Sequence, residues 1–476
     1  EELNQTRAHH VYTGKEGTLW VCTDLGLWKI KPYNNSFKNH LTNTDNNLFN
    51  RVNNAYSMRA LLPLKNATML VSTYKGFLTY DAARKTILKK ILFPDRKVMR
   101  SAPFVRQMIE EPEGIWAVVE DGSLVLYDKN AQEFRLAPVT FRPDDMPIHD
   151  FFAVLKQEGQ LWIGTTNGLY VYTISNGRYH EFSARLRGVS VYQLTRLMDH
   201  TVALSTSEGL FIAAKNGIVQ QYTSMQLPSN EVNCTIETDT GILYAGTSNG
   251  LCRINTRLRE IRSFTTSEGL CDNYINCIRQ SRDRALWLST NYGLSRFDLS
   301  NYSFVNFYKK NGLCENEFNR WSGATDEKGN LYFGTVNGLV SFDPLLYNAS
   351  RKNIPDLFIS SFTRHSNRLD STITSAYFNP HHLLSLSVKD NFIEFGLGLT
   401  SYTDVQNNRY YYKLTRKQNK PGDWIPVGNQ NKVRLNNLVS GAYTLQFKGI
   451  NSEGYESANI ISFPLTISEV FYKTWW

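Results

Sequence analysis

The chain has 476 residues, a formal net charge of +9, 20% charged residues, 41% hydrophobic residues and 13% aromatic residues. That balance excludes a disordered chain, and the aromatic richness favours strands over helices. No run approaches the roughly 18 apolar residues that span a bilayer. The six cysteines form no CxxC pair and have no histidine at zinc spacing.

The basic excess is mild for this length. It fits a surface richer in Lys and Arg than average, or attraction to an anionic partner such as acidic glycan, nucleic acid or lipid headgroups. The densest run extends from Arg84 to Arg106 and holds Lys85, Lys89, Lys90, Arg96, Lys97 and Arg100. It shows no helical basic face and no nucleic-acid motif, so direct nucleic acid binding is not expected.

From the N-terminus, one motif recurs: an apolar strand, a polar turn ending in Gly, and a second apolar strand. It reads LWVCTDLGLWKI from Leu19, MLVSTYKGFLTY from Met69, IWAVVEDGSLVLY from Ile115 and LWIGTTNGLYVY from Leu161. It continues as VALSTSEGLFI from Val202, LYAGTSNGLCRI from Leu243, LWLSTNYGLSRF from Leu286 and LYFGTVNGLVSF from Leu331. The turn glycines are Gly26, Gly76, Gly122, Gly168, Gly209, Gly250, Gly293 and Gly338, at gaps of 50, 46, 46, 41, 41, 43 and 45 residues.

Alternating large apolar residues suit strands with one face on a core. The turn needs a residue with φ above zero, which Gly takes without steric cost. A further strand-like run precedes most motifs, as in VNCTIETDTG, and another follows, as in REIRSFTT from Arg259. Four strands in each period of about 45 residues make one propeller blade, and blades must stack in a ring to bury both faces. A helical solenoid is excluded by the Gly inside each unit and by the absence of a 3.6-residue apolar stripe. The expected fold is therefore all-β, a β-propeller over residues 1–350. The eight units fit seven complete blades plus one extra unit, or eight blades in one ring. The last motif, ending at Phe342-Asp343-Pro344, has no clear fourth strand. A strand borrowed from the other end of the chain would close the ring.

After Pro344 the Gly-turn period stops. Seven short strands follow: LFISSFTR, HLLSLSV, NFIEFGLG, RYYYKLTR, KVRLNNL, AYTLQFKGI and IISFPLTIS. They predict an immunoglobulin-like β-sandwich over residues 357–470 without a disulfide. Trp424, Tyr410 and Tyr412 would fill or flank its core, or form a sugar-stacking platform. Residues 471–476 end on Trp475-Trp476, and the chain does not begin with Met. Both ends are expected to be cut from something longer.

Cys234 and Cys277 occupy equivalent positions in successive repeats, and Cys271 and Cys314 share a Gly-Leu-Cys-acidic-Asn turn. Neighbouring blades would hold such pairs beyond disulfide reach, so all six cysteines are expected as free thiols.

No site for chemistry stands out. Ser281-Arg282-Asp283-Arg284-Ala285-Leu286-Trp287 only partly echoes a sialidase Asp-box, and it fits an ordinary hairpin. His9-His10 and His381-His382 are neighbours that would face opposite sides of a strand. No nucleophile elbow or phosphate loop appears, and no catalytic residue, metal or cofactor is expected. Binding is the better hypothesis. The loop GLCENEFNRW offers Asn316, Asn319, Arg320 and Trp321, and GLCDNYIN offers Asn273, Tyr274 and Asn276. Amides, Arg and an aromatic plane are what sugar recognition uses, although the same residues serve to fix loops.

The LWxGTxxGLxxxD unit resembles the two-component regulator propeller repeat. The segments NRYYYKLTRK with Trp424, LNNLVSGAYTLQFKGINSEGYES and ISEVFYKTWW resemble the triple-tyrosine domain that follows such propellers. The pairing implies the periplasmic sensor region of a Bacteroides-type hybrid two-component system. Such a protein is anchored in the inner membrane and detects an oligosaccharide. The resemblance further implies a homodimer, a transmembrane helix, and a histidine kinase controlling glycan-utilisation genes. The basic excess favours an acidic or sulfated glycan and leaves neutral sugars open. Sensor regions of this family usually carry two propellers, with the ligand near their junction, so a single ring departs from the pattern. A propeller glycosidase or lyase with an accessory sandwich, and a protein-binding scaffold, are the alternatives.

Overall fold

A computed structural model describes residues 6–14, 18–30, 37–42, 56–65, 67–73, 76–91, 105–131, 133–144, 146, 150–345, 354–366, 371–375, 378, 384–387, 390–402, 405–417, 422–428, 430–436, 438–452 and 454–468. His381, His382, Arg96, Lys97, Arg100 and the Trp475-Trp476 end lie outside these residues. Among the described residues no helix is long and apolar enough to cross a membrane.

The chain divides into two compact units, one of residues 33–349 and one of residues 1–32 with 350–476. The first unit is a ring. Its described residues form seven four-stranded antiparallel sheets. Blade 1 begins with Met58–Pro63, blade 2 with Val105–Glu111, blade 3 with Phe151–Gln157 and blade 4 with Val191–Arg196. Blade 5 begins with Val232–Asp239, blade 6 with Ile275–Gln280 and blade 7 with Phe318–Thr325. These leading strands lie side by side in a closed cycle, with that of blade 7 beside that of blade 1. The outermost strand of blade 7 is Lys38–His40, which pairs antiparallel with Gly338–Phe342 through Leu339 opposite His40. The borrowed strand thus precedes blade 1 in the chain, and all four strands of the last blade are present.

Apolar clusters fill each seam of the ring rather than each blade. Ala60, Leu70 and Phe77 of blade 1 pack with Val105, Ile115 and Val125 of blade 2. At the closing seam Leu41, Met58, Val71 and Leu78 meet Ala324, Tyr332 and Leu339. A blade face left uncovered would expose these residues, which is why the repeat requires a ring.

The Thr that precedes the turn in all blades but blade 2, where Val119 stands, has a job that the period alone did not reveal. Thr165, Thr206, Thr247, Thr290 and Thr335 each donate their Oγ1 hydrogen to the carbonyl of the turn Gly, at 2.7–3.0 Å. The same oxygen accepts the amide of the residue two positions on, as Asn167 N to Thr165 Oγ1 at 3.1 Å. The hydroxyl thereby ties both ends of the turn together.

The first of the eight repeats stands outside the ring. Ala8–Thr13, Leu19–Thr23 and Gly26–Ile30 form a three-stranded sheet in the other compact unit. It keeps the Thr23-to-Gly26 clasp at 3.0 Å and the turn glycine at φ 118°. Leu27 is nevertheless 62% exposed, whereas Leu169, Leu210, Leu251, Leu294 and Leu339 at the equivalent positions are 0% exposed. The same unit holds a β-sandwich of one four-stranded and one five-stranded sheet. The described residues give it nine strands, the two beyond expectation being Ser371–Ser375 and Ile425–Gly428. Its core gathers Leu357, Ile393, Phe395, Val433, Leu445, Phe447, Phe463 and Leu465. Tyr410 is buried in that core and Tyr412 packs against it, whereas Trp424 lies beneath the ammonium groups of Lys413 and Lys448. The all-β propeller of seven blades with an extra unit, followed by a sandwich, is the architecture observed.

All six cysteines are free thiols, Cys22 exposed and Cys234, Cys252, Cys277 and Cys314 buried. Burial pushes the Cys252 and Cys271 thiols up to about 11.

Candidate functional site in the ring channel

Each leading strand of the ring breaks its ladder just after its first residue. In blade 3, Phe151 pairs with Thr165 and Ala153 with Gly164, which leaves Phe152 as one extra residue. Val191 and Gln193, Val232 and Cys234, and Ile275 and Cys277 do the same in blades 4, 5 and 6. A β-bulge of this kind re-aims the side chain it frees. The residues in that second position are Arg59, Arg106, Phe152, Tyr192, Asn233, Asn276 and Asn319, from blade 1 to blade 7.

The ring is therefore asymmetric around its channel. On one side three asparagines tie each blade to the next. Asn233 Nδ2 donates to the Ile275 carbonyl at 2.9 Å, Asn276 Nδ2 to Phe318 at 3.0 Å and Asn319 Nδ2 to Met58 at 2.8 Å. On the other side Arg59, Arg106, Phe152 and Tyr192 line a cavity of about 790 Å³ instead. Asn276, Asn291, Glu120, Glu317, Asn319, Arg320 and Trp321 complete most of its wall. That volume falls in the range of small-molecule sites.

Blade 7 bulges further than the rest. Phe318 pairs with Thr335 and the next pair is Gly323 with Phe333, which leaves four residues, Asn319 to Ser322, opposite Gly334 alone. The extra length carries Arg320 and Trp321 into the channel, with Trp321 at φ 60°. The indole Nε1 of Trp321 donates to the Asn233 carbonyl at 2.8 Å. Its ring stacks on Tyr192 at 5.5 Å and 27°, and tilts against Phe152 at 5.5 Å. The Arg106 guanidinium sits 5.5 Å from the centre of the same indole.

Two arginines of the cavity meet carboxylates. Arg106 binds Glu120, and Arg320 lies 3.3 Å from Glu231. Burial pulls the Arg106 guanidinium below its ordinary value, while Glu120 opposes that pull. Arg320 also covers the Tyr274 ring at 4.8 Å, and the Tyr274 hydroxyl donates to Glu231 at 2.9 Å. Burial pushes that phenol up to about 12, with Arg320 working in the opposite direction.

Of the seven residues singled out from sequence, Asn276, Asn319, Arg320 and Trp321 line the cavity, and Tyr274 adjoins it through Arg320. Asn273 and Asn316 do not line it. Asn273 Oδ1 accepts from the Thr266 amide at 2.8 Å, and Asn316 Oδ1 accepts from the Lys309 amide at 2.7 Å. Both hold their own turns together. The residues that sequence reasoning missed are Arg59, Arg106, Phe152 and Tyr192. Alignment of the repeats at the residue after each leading apolar position would have exposed them. Arg106 also belongs to the basic run, whose Arg84, Lys85, Lys89 and Lys90 are exposed instead.

Among the described residues no group of three or more His, Cys, Asp or Glu could share a metal. His9 lies against Asp24 rather than against His10. Ser281 donates to Asp283 and to the Ala285 carbonyl, closing a hairpin between the first two strands of blade 6.

No family model and no curated protein sequence matches the chain. Solved structures do. The extracellular domain of the putative hybrid two component system BT3049 from B. thetaiotaomicron matches with a TM-score of 0.61 at 19% identity, over 97% of this chain and 62% of that one. The extracellular domain of the putative one component system BT4673 from the same organism matches with a TM-score of 0.53 at 17% identity, over 96% of this chain and 61% of that one. The chain has the fold of these extracellular domains. They are the kind of protein that the repeat and the tyrosine-rich sandwich resemble. The likeness at this identity is one of fold, and the chain spans less than two thirds of either structure.

Proposed function

We propose that this region is the periplasmic sensor of a hybrid two-component system and that it binds an oligosaccharide in the channel of its ring. The observation that carries the reading is the cavity itself: a Phe152–Tyr192–Trp321 aromatic wall facing arginines, carboxylates and amides. An aromatic plane with convergent polar groups holds a sugar ring by stacking and by hydrogen bonds. The shared fold with extracellular domains of two-component proteins adds support. In the full-length protein the sandwich leads to a transmembrane helix in the inner membrane, and beyond it to a histidine kinase controlling glycan-use genes. The sensor acts as a homodimer and does not turn its ligand over. The exposed Leu27 supports a longer protein, because the matching leucines of the ring are covered by a neighbouring blade.

A panel of oligosaccharides tested by thermal unfolding decides the matter. A ligand at 100 times its dissociation constant adds about 2.7 kcal/mol of stability. A shift with one glycan, without released reducing ends, supports a sensor. Released ends would make the region an enzyme, and no response to any sugar would leave a protein-binding scaffold.

A further inference from the structure

The excess charge of the whole chain, +9, is not concentrated in the channel. Three guanidiniums line the cavity, those of Arg59, Arg106 and Arg320, together with the carboxylates of Glu120 and Glu317. A third carboxylate, Glu231, sits on Arg320, and Asp150 acts on Arg106 from further off. Three guanidiniums thus meet four carboxylates, and the channel carries no positive excess. Arg106, the more buried of the paired arginines, is already engaged by Glu120. An anionic group entering here would have to compete with a carboxylate for it. Burying an ion without a partner of its own is unfavourable.

A buried amide lies behind the wall. Asn276 borders the cavity but is 0% exposed. Its Nδ2 donates both to Asn291 Oδ1 at 2.9 Å and to the Phe318 carbonyl at 3.0 Å. Both partners are acceptors, so the amide cannot be turned the other way round. Its Oδ1 has no partner. That oxygen has no exposed surface, so Asn276 acts as a tie between blades and not as a ligand contact. The half-buried rings of Tyr192 and Trp321 offer apolar surface in the same cavity.

We propose that the channel takes a neutral, hydroxyl-rich sugar ring, packed against the aromatic surface of Tyr192 and Trp321 and held by the paired arginines and carboxylates around it. This rests on the sensor reading above and narrows it to uncharged glycans. The basic excess of the chain then belongs to its outer surface and does not select the ligand.

Calorimetric titration of the protein tests this with two sets of probes. One is neutral: xylotetraose, arabinotetraose and mannotetraose. The other is acidic: tetragalacturonate and a heparin-derived tetrasaccharide. Each is run at about 0.05 and about 0.5 M sodium chloride, which changes screening strongly for charged partners. A neutral member should bind with an affinity that moves less than about twofold with salt. Tyr192→Ala should weaken it about tenfold, and Tyr192→Phe, which keeps the ring, should restore it. Binding of an acidic member alone, falling steeply with salt, overturns the neutral assignment and leaves the sensor reading standing. Neutral binding that ignores Tyr192→Ala overturns the channel site and again spares the sensor reading. Binding by neither set overturns both.

Discussion

The indole of Trp321, which rises from blade 7, donates its Nε1 hydrogen across the channel to the carbonyl of Asn233 in blade 5, at 2.8 Å. Two blades that are not neighbours in the ring are thereby joined through one side chain. The backbone at Trp321 has φ 60°, a region that non-glycine residues enter at a cost of about 1 kcal/mol. The stack on Tyr192 and the bond to Asn233 hold it there.

Replacement of Trp321 separates these effects. Trp321→Ala should lower the stability of the ligand-free protein by about 1–3 kcal/mol, since a half-buried ring and its hydrogen bond are lost. It should also abolish oligosaccharide-induced stabilisation. Trp321→Gly should be more stable than Trp321→Ala by about 1 kcal/mol, because Gly accepts a positive φ. In ordinary strand positions that order is reversed. Urea unfolding of the two variants checks it, and an Ala variant at least as stable as the Gly variant would remove strain from the account.

The asparagine ties make a graded prediction. Asn319 Nδ2 lies within bonding distance of Ser57 Oγ, the Met58 carbonyl and the Thr335 carbonyl, at 3.0, 2.8 and 2.7 Å. Asn276 reaches two acceptors and Asn233 one. Alanine at each should cost about 1–3 kcal/mol, in the order 319, then 276, then 233. Position 319 ranks first because it closes the ring, where blade 7 meets blade 1. Denaturant midpoints of the three variants test the order, and equal losses would mean that the seam does not matter.

The ring was legible in the sequence because its cause is local and repeated. Six of the seven blades place Thr three residues before the turn Gly, with Val119 in blade 2 the exception, so the turn writes its period into the chain. The cavity was only half legible. Asn276, Asn319, Arg320 and Trp321 stood out as polar or aromatic residues in loops, yet Asn276 and Asn319 are buried ties as well as wall residues. Phe152 and Tyr192 were invisible for a different reason. An aromatic residue in a strand reads as core, and only the bulge beside it turns the side chain towards the channel. A bulge is a property of pairing between two strands, and composition does not reveal it.

Turn glycines should differ in how they tolerate a methyl group. At Gly209, with φ 112°, an added Cβ would run into the Tyr222 carbonyl oxygen of the neighbouring strand. At Gly26, with φ 118°, it would meet nothing within 4 Å. Gly26→Ala should therefore cost only the backbone strain, about 1 kcal/mol, and Gly209→Ala about 3 kcal/mol or more. Thermal unfolding of each variant compares them. Equal costs would show that φ alone governs the repeat, with no contribution from the fourth strand of the blade.

The closing strand carries a pH dependence of its own. His40 is 1% exposed and joins Tyr80 Oη at 3.0 Å and Ser341 Oγ at 2.8 Å, bridging blade 1, blade 7 and the borrowed strand. Burial lowers its pKa from 6.5 to about 4, helped by Lys85 and Lys38. The folded ring thus keeps the imidazole neutral where the unfolded chain protonates it. Stability from this group is complete above about pH 6.5 and is lost as the pH falls towards about 4, below which both states are protonated. A shift of this size corresponds to at most about 3 kcal/mol. His40→Gln keeps hydrogen-bonding capacity for Tyr80 and Ser341 and cannot titrate. Urea unfolding between pH 7 and pH 4 should show a shallower decline for that variant than for the native chain. Parallel declines would mean that carboxylates elsewhere govern the acid sensitivity, and that the closure of the ring does not depend on the charge of His40.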